Sequence, residues 1–358
     1  STPFVSQKNA ITVILILLAA IVGVVGYKFA QQHKPHAGTL LPVSACNPAR
    51  DDCTVALPDG STWKNLVTPQ VAKVAETLDE YRGRYRYNLL DRNVQALGSE
   101  KAGNAIITTD TYSKTCATEI TLGGKTVRFG AIAKGSGLIQ PNMATMLCFI
   151  TTDAAIDRKL LQAALSEVVE VSFNMISIDG DMSTNDMAIV LANGAAGNPE
   201  ITSKDADYET FKQTLQAICQ GLAQRIASDG EGATKFLTVH VKGTKSFADA
   251  KTIGMSVAKS PLVKTAFFGE DPNWGRVICA VGYAGVPMNP QQTIVKFGGI
   301  PVYANGVGAA FDEEALREVM AQHDIIIDID MGDGDGEATV WTCDFSYEYV
   351  KINGEYHT

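Results

Sequence analysis

The sequence has no C-x-x-C pair and no cysteine–histidine spacing of the kind that holds zinc, and its five histidines are scattered, which argues against a structural zinc module. It has no Walker-type glycine loop and no dinucleotide fingerprint, so nothing points to a phosphate-cradling nucleotide site. Positive charge is scarce: 30 Lys and Arg stand against 39 Asp and Glu, a net charge of −9. Nucleic-acid binding needs a basic surface, so that class is disfavoured. Internal repeats and low-complexity segments are also missing. The acidic run from Asp328 to Glu337 has no register that puts carboxylates at the first, third and fifth places with glycine sixth. It therefore reads as an acidic turn between two strands, not a calcium loop.

What is present is a balance typical of a folded protein, 46% hydrophobic and 19% charged over 358 residues, enough for one large domain or two modest ones. Residues 11–27 form an uncharged apolar run at the lower limit for crossing a bilayer. With Lys8 before it and Lys28 and Lys34 after it, residues 1–34 read as a membrane anchor. Residues 35–98 read as a linker and a small region, with Val71, Val74, Leu78 and Tyr81 at helical spacing within 64–98. In the segment 44–53, Cys46 and Cys53 can form a disulfide if that region lies outside the cytoplasm. The other five cysteines (Cys116, Cys148, Cys219, Cys279 and Cys343) sit in apolar or strand-like segments and read as reduced and buried.

From residue 99 strands alternate with amphipathic helices. Strands are expected at 105–109, 126–132, 146–151, 236–241, 277–281, 293–297, 325–329 and 338–345. Helices are expected at 155–170 behind an Asp153 cap, at 207–227 and at 312–322. This composition predicts an α/β fold, a layered sandwich of β-sheets flanked by helices, preceded by the transmembrane segment.

One stretch combines small, flexible residues with a single lysine: Ala131-x-x-Lys134-Gly-Ser-Gly137, then Pro141-Asn-Met-Ala-Thr-Met-Leu147. On residue types alone Thr145 opens a strand, and Lys134 is a solvated loop charge or half of an anion site made with glycine amides. The chain 99–358, however, resembles the glutamate N-acetyltransferase family, also called ornithine acetyltransferase, bifunctional enzymes of arginine biosynthesis. The resemblance is carried by Ile107-Thr-Thr-Asp-Thr111, Ala133-Lys-Gly-Ser-Gly-Leu138, the 141–147 segment, Ser183-Thr-Asn-Asp-Met187, Asp229-Gly-Glu-Gly-Ala-Thr-Lys235, the 258–264 segment, Gly269-Glu-Asp-Pro-Asn-Trp-Gly-Arg276 and the C-terminal end 349–358, all in the family's order.

The resemblance implies a self-processing precursor of the N-terminal-threonine acyltransferase type. Thr145 would break the Ala144–Thr145 bond and become a nucleophile that carries its own base. A freed α-amine titrates near 7.7–8.0, so much of it is neutral at cellular pH. Thr145 would take the acetyl group from N-acetylornithine and pass it to glutamate; some family members also accept acetyl-CoA. Thr108, Lys134, Glu231, Asn353 and Thr358 match substrate contacts, with Lys134 suited to an α-carboxylate. Asp271, Asn273, Trp274 and Arg276 read as structural, near the site. No metal or prosthetic group is implied. The inherited assembly is a heterotetramer of cleaved subunits, and the inherited location is the cytoplasm, which the apolar run 11–27 opposes.

Residues 1–98 carry no match to the family's Ser-Thr-Gly-Val-Ile-Gly run, whose Thr and Gly form the oxyanion hole. The alternative expectation is therefore a catalytically impaired, membrane-anchored fusion or chimera that keeps the fold.

Overall fold

The computed structural model describes residues 55–56, 62–63 and 97–358, apart from 138, 140–145, 182–185 and 356–358. The chain divides into two units, Ser1–Glu76 and Thr77–Thr358. In the first, strands β1 (Val55–Ala56) and β2 (Thr62–Trp63) pair antiparallel. The apolar run 11–27, the Cys46–Cys53 pair and the helix expected around Val71–Tyr81 lie outside the described residues. Among the described residues, no helix is long and apolar enough to cross a membrane.

The second unit runs α1 (Leu97–Ile106), β3 (Lys114–Leu122), β4 (Lys125–Lys134), β5 (Leu147–Thr152), α2 (Arg158–Glu170), β6 (Ile176–Ser177), β7 (Met187–Ala192), α3 (Ala206–Ser228) and β8 (Phe236–Thr244). It continues with α4 (Phe247–Ala258), α5 (Pro261–Phe268), α6 (Trp274–Gly282), β9 (Ile294–Phe297), β10 (Ile300–Ala304), β11 (Val307–Gly308), α7 (Glu313–Ala321), β12 (Asp324–Asp330), β13 (Gly336–Cys343) and α8 (Tyr347–Glu355). Two sheets result. One has four strands in the order β3-β4-β5-β7; the other has seven in the order β11-β10-β9-β12-β8-β13-β6. This is a mixed α/β architecture of two sheets with helices, as the composition predicts.

Local chemistry explains the element starts. β3 and β4 join through Gly123 and Gly124, whose φ values are +51° and +74°. Positive φ at both positions of a two-residue hairpin is the geometry that matches strand twist, and glycine adopts it without a Cβ clash. The helices open on side-chain caps: Asp157 for α2, Asp205 for α3, Ser246 for α4, Ser260 for α5, Asn273 for α6 and Asp312 for α7. Each cap satisfies an otherwise unpaired N–H and contributes about 1 kcal/mol. α3 packs against β3 and β4 of one sheet and against β13, β6 and β8 of the other. Its buried side chains, from Tyr208 to Ala227, therefore cover more of its circumference than a single stripe. The rings of Phe211 on α3 and Phe129 on β4 meet at 5.2 Å.

Three expectations about secondary structure change. Residues 105–109 are not a strand, because α1 runs to Ile106 and bends follow. Residues 277–281 lie in α6: Asn273 caps that helix and Val277, Ala280 and Val281 are buried at helical spacing, which a five-residue apolar run alone cannot reveal. The cap of α2 is Asp157; Asp153 instead accepts the Arg128 N–H at 2.7 Å and fastens β4 to the end of β5. Of the five cysteines expected to be buried, Cys148, Cys219 and Cys343 are, Cys116 is half-buried and Cys279 is exposed; all five are free.

Candidate active site

Strand register gathers the polar motifs at one end of the four-stranded sheet. Lys134, the last residue of β4, pairs with Leu147, the first of β5, which pairs with Met187, the first of β7. Lys114, the first of β3, pairs with Ala133. The segments 108–114, 134–137, 146–147 and 186–187 thus reach the same edge from four strands.

A buried ionic cluster holds this end together. The Lys114 ammonium is fully buried and lies 2.6 Å from Asp110 Oδ1 and 2.5 Å from Asp229 Oδ2. Asp110 also accepts the Gly135 N–H at 2.7 Å and the Thr108 N–H at 3.4 Å. Burial pushes the Asp110 carboxyl up, but the Gly135 N–H and the Lys114 charge outweigh it and hold it below its ordinary value. Thr111 donates both its hydroxyl and its N–H to Asp229. Ser136 Oγ donates to the Asp229 carbonyl at 2.7 Å, and the Glu231 N–H donates back to the Ser136 carbonyl at 2.8 Å. Asp110, Asp229, Ser136 and Glu231 are therefore one connected unit, and the loop after α3 is pinned to the end of β4.

The residues singled out in the sequence lie on this unit where they are described. Lys134 is buried, not a solvated loop charge, and its ammonium donates to Thr108 Oγ1 at 3.1 Å. Thr108 is exposed and lies in a bend, not a strand. Glu231 is buried, and its Oε2 accepts from Asn353 Nδ2 at 2.8 Å. A Cβ at Gly137 would overlap the Glu231 carboxylate, so a larger residue there would push that side chain aside. Ala144, Thr145 and Thr358 lie outside the described residues.

The C-terminal end is helix α8, fastened to this loop at several points. Ser346 Oγ donates to the Gly232 carbonyl at 2.5 Å and accepts the Glu348 N–H at 3.1 Å. The Tyr349 ring stacks on Phe345 at 4.5 Å, and its hydroxyl pairs with Asp179. Burial and the neighbouring carboxylates, Asp179 foremost, push the Tyr349 phenol up. Beneath it, the fully buried Lys264 donates to Thr342 Oγ1 at 2.7 Å and to the Cys343 carbonyl, and lies 4.6 Å from the Phe345 ring centroid.

Residues 271–276 make structural contacts. Asn273 caps α6, Trp274 packs on Tyr303 with centroids 5.2 Å apart, and Arg276 donates to the Leu262 carbonyl at 2.8 Å.

Sequence reasoning gave no role to Asp110, Lys114, Asp229 or Asp186. Lys114 carried no signal, since a lysine opening a strand is ordinarily solvated. The three aspartates lie in quoted motifs, Asp186 directly ahead of an apolar strand just as Met146 is directly ahead of β5. The Asp186 carboxylate accepts the Met146 N–H. Burial pushes its pKa up from 3.8 to about 7, partly offset by that N–H and by the charge of Lys134.

Residues 66–358 match the model of the ArgJ family. The arginine biosynthesis bifunctional protein ArgJ of Symbiobacterium thermophilum is 50% identical over 261 residues, 73% of this chain and 65% of that protein. That of Geobacillus stearothermophilus is 46% identical over 299 residues, 84% of this chain and 73% of that protein. The crystal structure of the arginine biosynthesis bifunctional protein ArgJ from Bacillus halodurans superposes with a TM-score of 0.55 and 40% identity over 57% of this chain and 97% of the solved one. The match reaches upstream of residue 99 and crosses the boundary at which a fusion or chimera was expected to join. With its order of motifs, its fold and its extended match, the chain belongs to the ArgJ family.

Proposed function

We propose that this chain transfers an acetyl group from N-acetylornithine to glutamate through an acetylated Thr145, in arginine biosynthesis. The observation that carries the reading is the single connected unit that includes Lys134, Glu231 and Asn353, at the same end of the sheet as Met146. Family membership supplies the rest.

Thr145 Oγ first attacks the Ala144 carbonyl. The peptide C–N bond breaks, and water hydrolyses the ester to leave an Ala144 carboxylate and a Thr145 α-amine. In the transfer reaction the amine takes the Oγ proton as Oγ attacks the acetyl carbonyl of N-acetylornithine. The C–N bond breaks and the proton leaves with ornithine. The glutamate amine then attacks the ester, and Oγ regains its proton. Lys134 meets the substrate α-carboxylate and Glu231 its amino end, and family membership assigns further substrate contacts to Thr108, Asn353 and Thr358. The reaction needs no metal and no prosthetic group, and acetyl-CoA serves as a second donor. The cleaved fragments stay together as a two-plus-two heterotetramer in the cytoplasm.

Intact-mass spectrometry of the expressed protein tests this. The expected result is two fragments divided at Ala144–Thr145, with Thr145 acetylated after brief exposure to N-acetylornithine and neither event in Thr145→Ala. An uncut chain that never acetylates would favour a remnant that keeps only the fold.

The apolar run 11–27 supports a second reading for the N-terminal unit, a membrane tether with a Cys46–Cys53 bridge. Its mark is retention in the membrane pellet after alkaline carbonate extraction. Recovery in the soluble fraction with both thiols free removes it.

A further inference from the structure

The loop from Asp229 to Lys235 joins α3 to β8 and carries Glu231. Its first half is pinned to the four-stranded sheet through Asp229 and Ser136. Its second half is held by the side chain of Asp344, which directly follows β13 and is 1% exposed. Asp344 Oδ1 accepts the Thr234 N–H at 2.8 Å and the Lys235 N–H at 2.9 Å, and Oδ2 accepts the Thr234 hydroxyl. The Asp344 N–H donates in return to the Lys235 carbonyl at 3.3 Å. A buried carboxylate is costly unless it is hydrogen-bonded, and bonds to a charged acceptor are about twice as strong as neutral ones. Asp344 directs such bonds at the backbone three and four residues beyond Glu231.

The segment that bears Asp344 is itself held from behind. Lys264, the last residue of the 258–264 motif, donates to Thr342 Oγ1 and to the Cys343 carbonyl, and its own carbonyl accepts the Phe345 N–H at 3.4 Å. The same segment meets the loop on both sides of Glu231. A Cβ at Gly230 would come within 2.6 Å of Cys343 Sγ, and the Gly232 carbonyl accepts from Ser346 Oγ. Residues 342–346 therefore act as a mould against which the Glu231 loop is set.

Resting on the function proposed above, we infer that Asp344 is a positioning residue for Glu231: it fixes the second half of the loop so that the Glu231 carboxylate meets Asn353 and the amino end of the substrate. Asp344 touches no reacting atom. Its effect on the reaction passes through Glu231, so the two residues are coupled, whereas a general role in stability would act whether or not Glu231 carries its charge.

The test is a double-mutant cycle. Asp344→Asn and Thr234→Val are each made alone and together with Glu231→Gln, melting curves establish that each protein is folded, and steady-state kinetics with N-acetylornithine is run at saturating glutamate. Asp344→Asn removes the charge and turns the acceptor facing the Thr234 hydroxyl into an amide. Its kcat/KM is expected to fall at least about fivefold, with the change in KM and kcat within about twofold. In the Glu231→Gln background the same substitution is expected to lower kcat/KM no further. A folded Asp344→Asn protein with wild-type kcat/KM overturns the inference, and so does an equal fall in both backgrounds; each leaves the acetyltransferase reading intact. A wild-type chain that transfers no acetyl group overturns both. If Asp344→Asn does not fold, Thr234→Val decides, because it removes only the bond to Oδ2 at an exposed position. A fall of about threefold that vanishes in the Glu231→Gln background is the expected result, and an unchanged kcat/KM overturns the inference.

Discussion

Asn353 donates its side-chain amide to Glu231 Oε2 at 2.8 Å, joining the last turn of α8 to the loop after α3 across 122 positions of sequence. Asn353 is exposed and Glu231 buried, so the bond brings the C-terminal end over the site and fixes the direction of the carboxylate. A hydrogen bond to a charged group contributes about 1.5–3 kcal/mol, and 1.4 kcal/mol corresponds to a factor of ten. Asn353→Ala is expected to raise KM for the amino-acid substrate about tenfold with kcat nearly retained. Glu231→Ala is expected to lower kcat/KM further, and steady-state kinetics with N-acetylornithine and glutamate measures both.

Gly232 controls the same closure from the backbone. Its φ is +68°, and a Cβ there would come within 2.5 Å of the Tyr349 nitrogen. Main chain cannot give way as a flexible side chain can, so Gly232→Ala should displace α8 and with it Asn353. A rise in KM of about tenfold or more, together with faster proteolysis near residue 349, is the expected result. Limited proteolysis followed by mass spectrometry checks the second part.

The Lys114 cluster is a matter of stability. Removing the ammonium leaves Asp110 and Asp229 buried without their shared countercharge, and breaking a buried ion pair on one side costs about 3–5 kcal/mol. Lys114→Met is expected to lower the urea midpoint by an amount that corresponds to a loss in that range. Lys351→Met, which breaks an exposed pair with Glu348, should change it by under about 1 kcal/mol.

The raised pKa of Asp186 gives a stability effect of unusual sign. The folded chain keeps this proton up to about pH 7, whereas the unfolded chain releases it near 3.8. Between those values unfolding releases a proton, so this group's contribution to stability falls as pH rises from about 4 to about 7 and then levels off. In a Thr145→Ala background, which keeps the chain in one piece, adding Asp186→Asn should raise the urea midpoint at pH 8 more than at pH 5. Equal shifts at the two pH values would contradict the assignment.

Much of the fold was legible from one sequence because its signals are local. The apolar periodicity of 207–227 and 312–322 predicts helices that the structure contains with Asp205 and Asp312 as caps. The central strands beginning at Phe236, Ile294 and Asp324 follow from short apolar runs. Two of the errors, at 105–109 and 277–281, share a cause. A five-residue run such as 277–281 fits strand and buried helix equally, and the neighbours decide. Lys134 and Glu231 were named from matched motifs, yet their residue types alone suggest solvated charges, because the burial of a charged side chain has no local signature.

The sequence by itself determined the family, the order of the motifs and the residue types that bear the chemistry, since each of these is written in short contiguous stretches. Only the tertiary structure decided that Asp110, Lys114 and Asp229 form one buried ionic cluster, that α8 closes on Glu231, and that Asp186 holds the amide next to Thr145. Those relations depend on strand register and on loops meeting across more than a hundred residues. A side chain's surroundings at such distances are set by how the sheets and helices pack, which no local pattern of residues encodes.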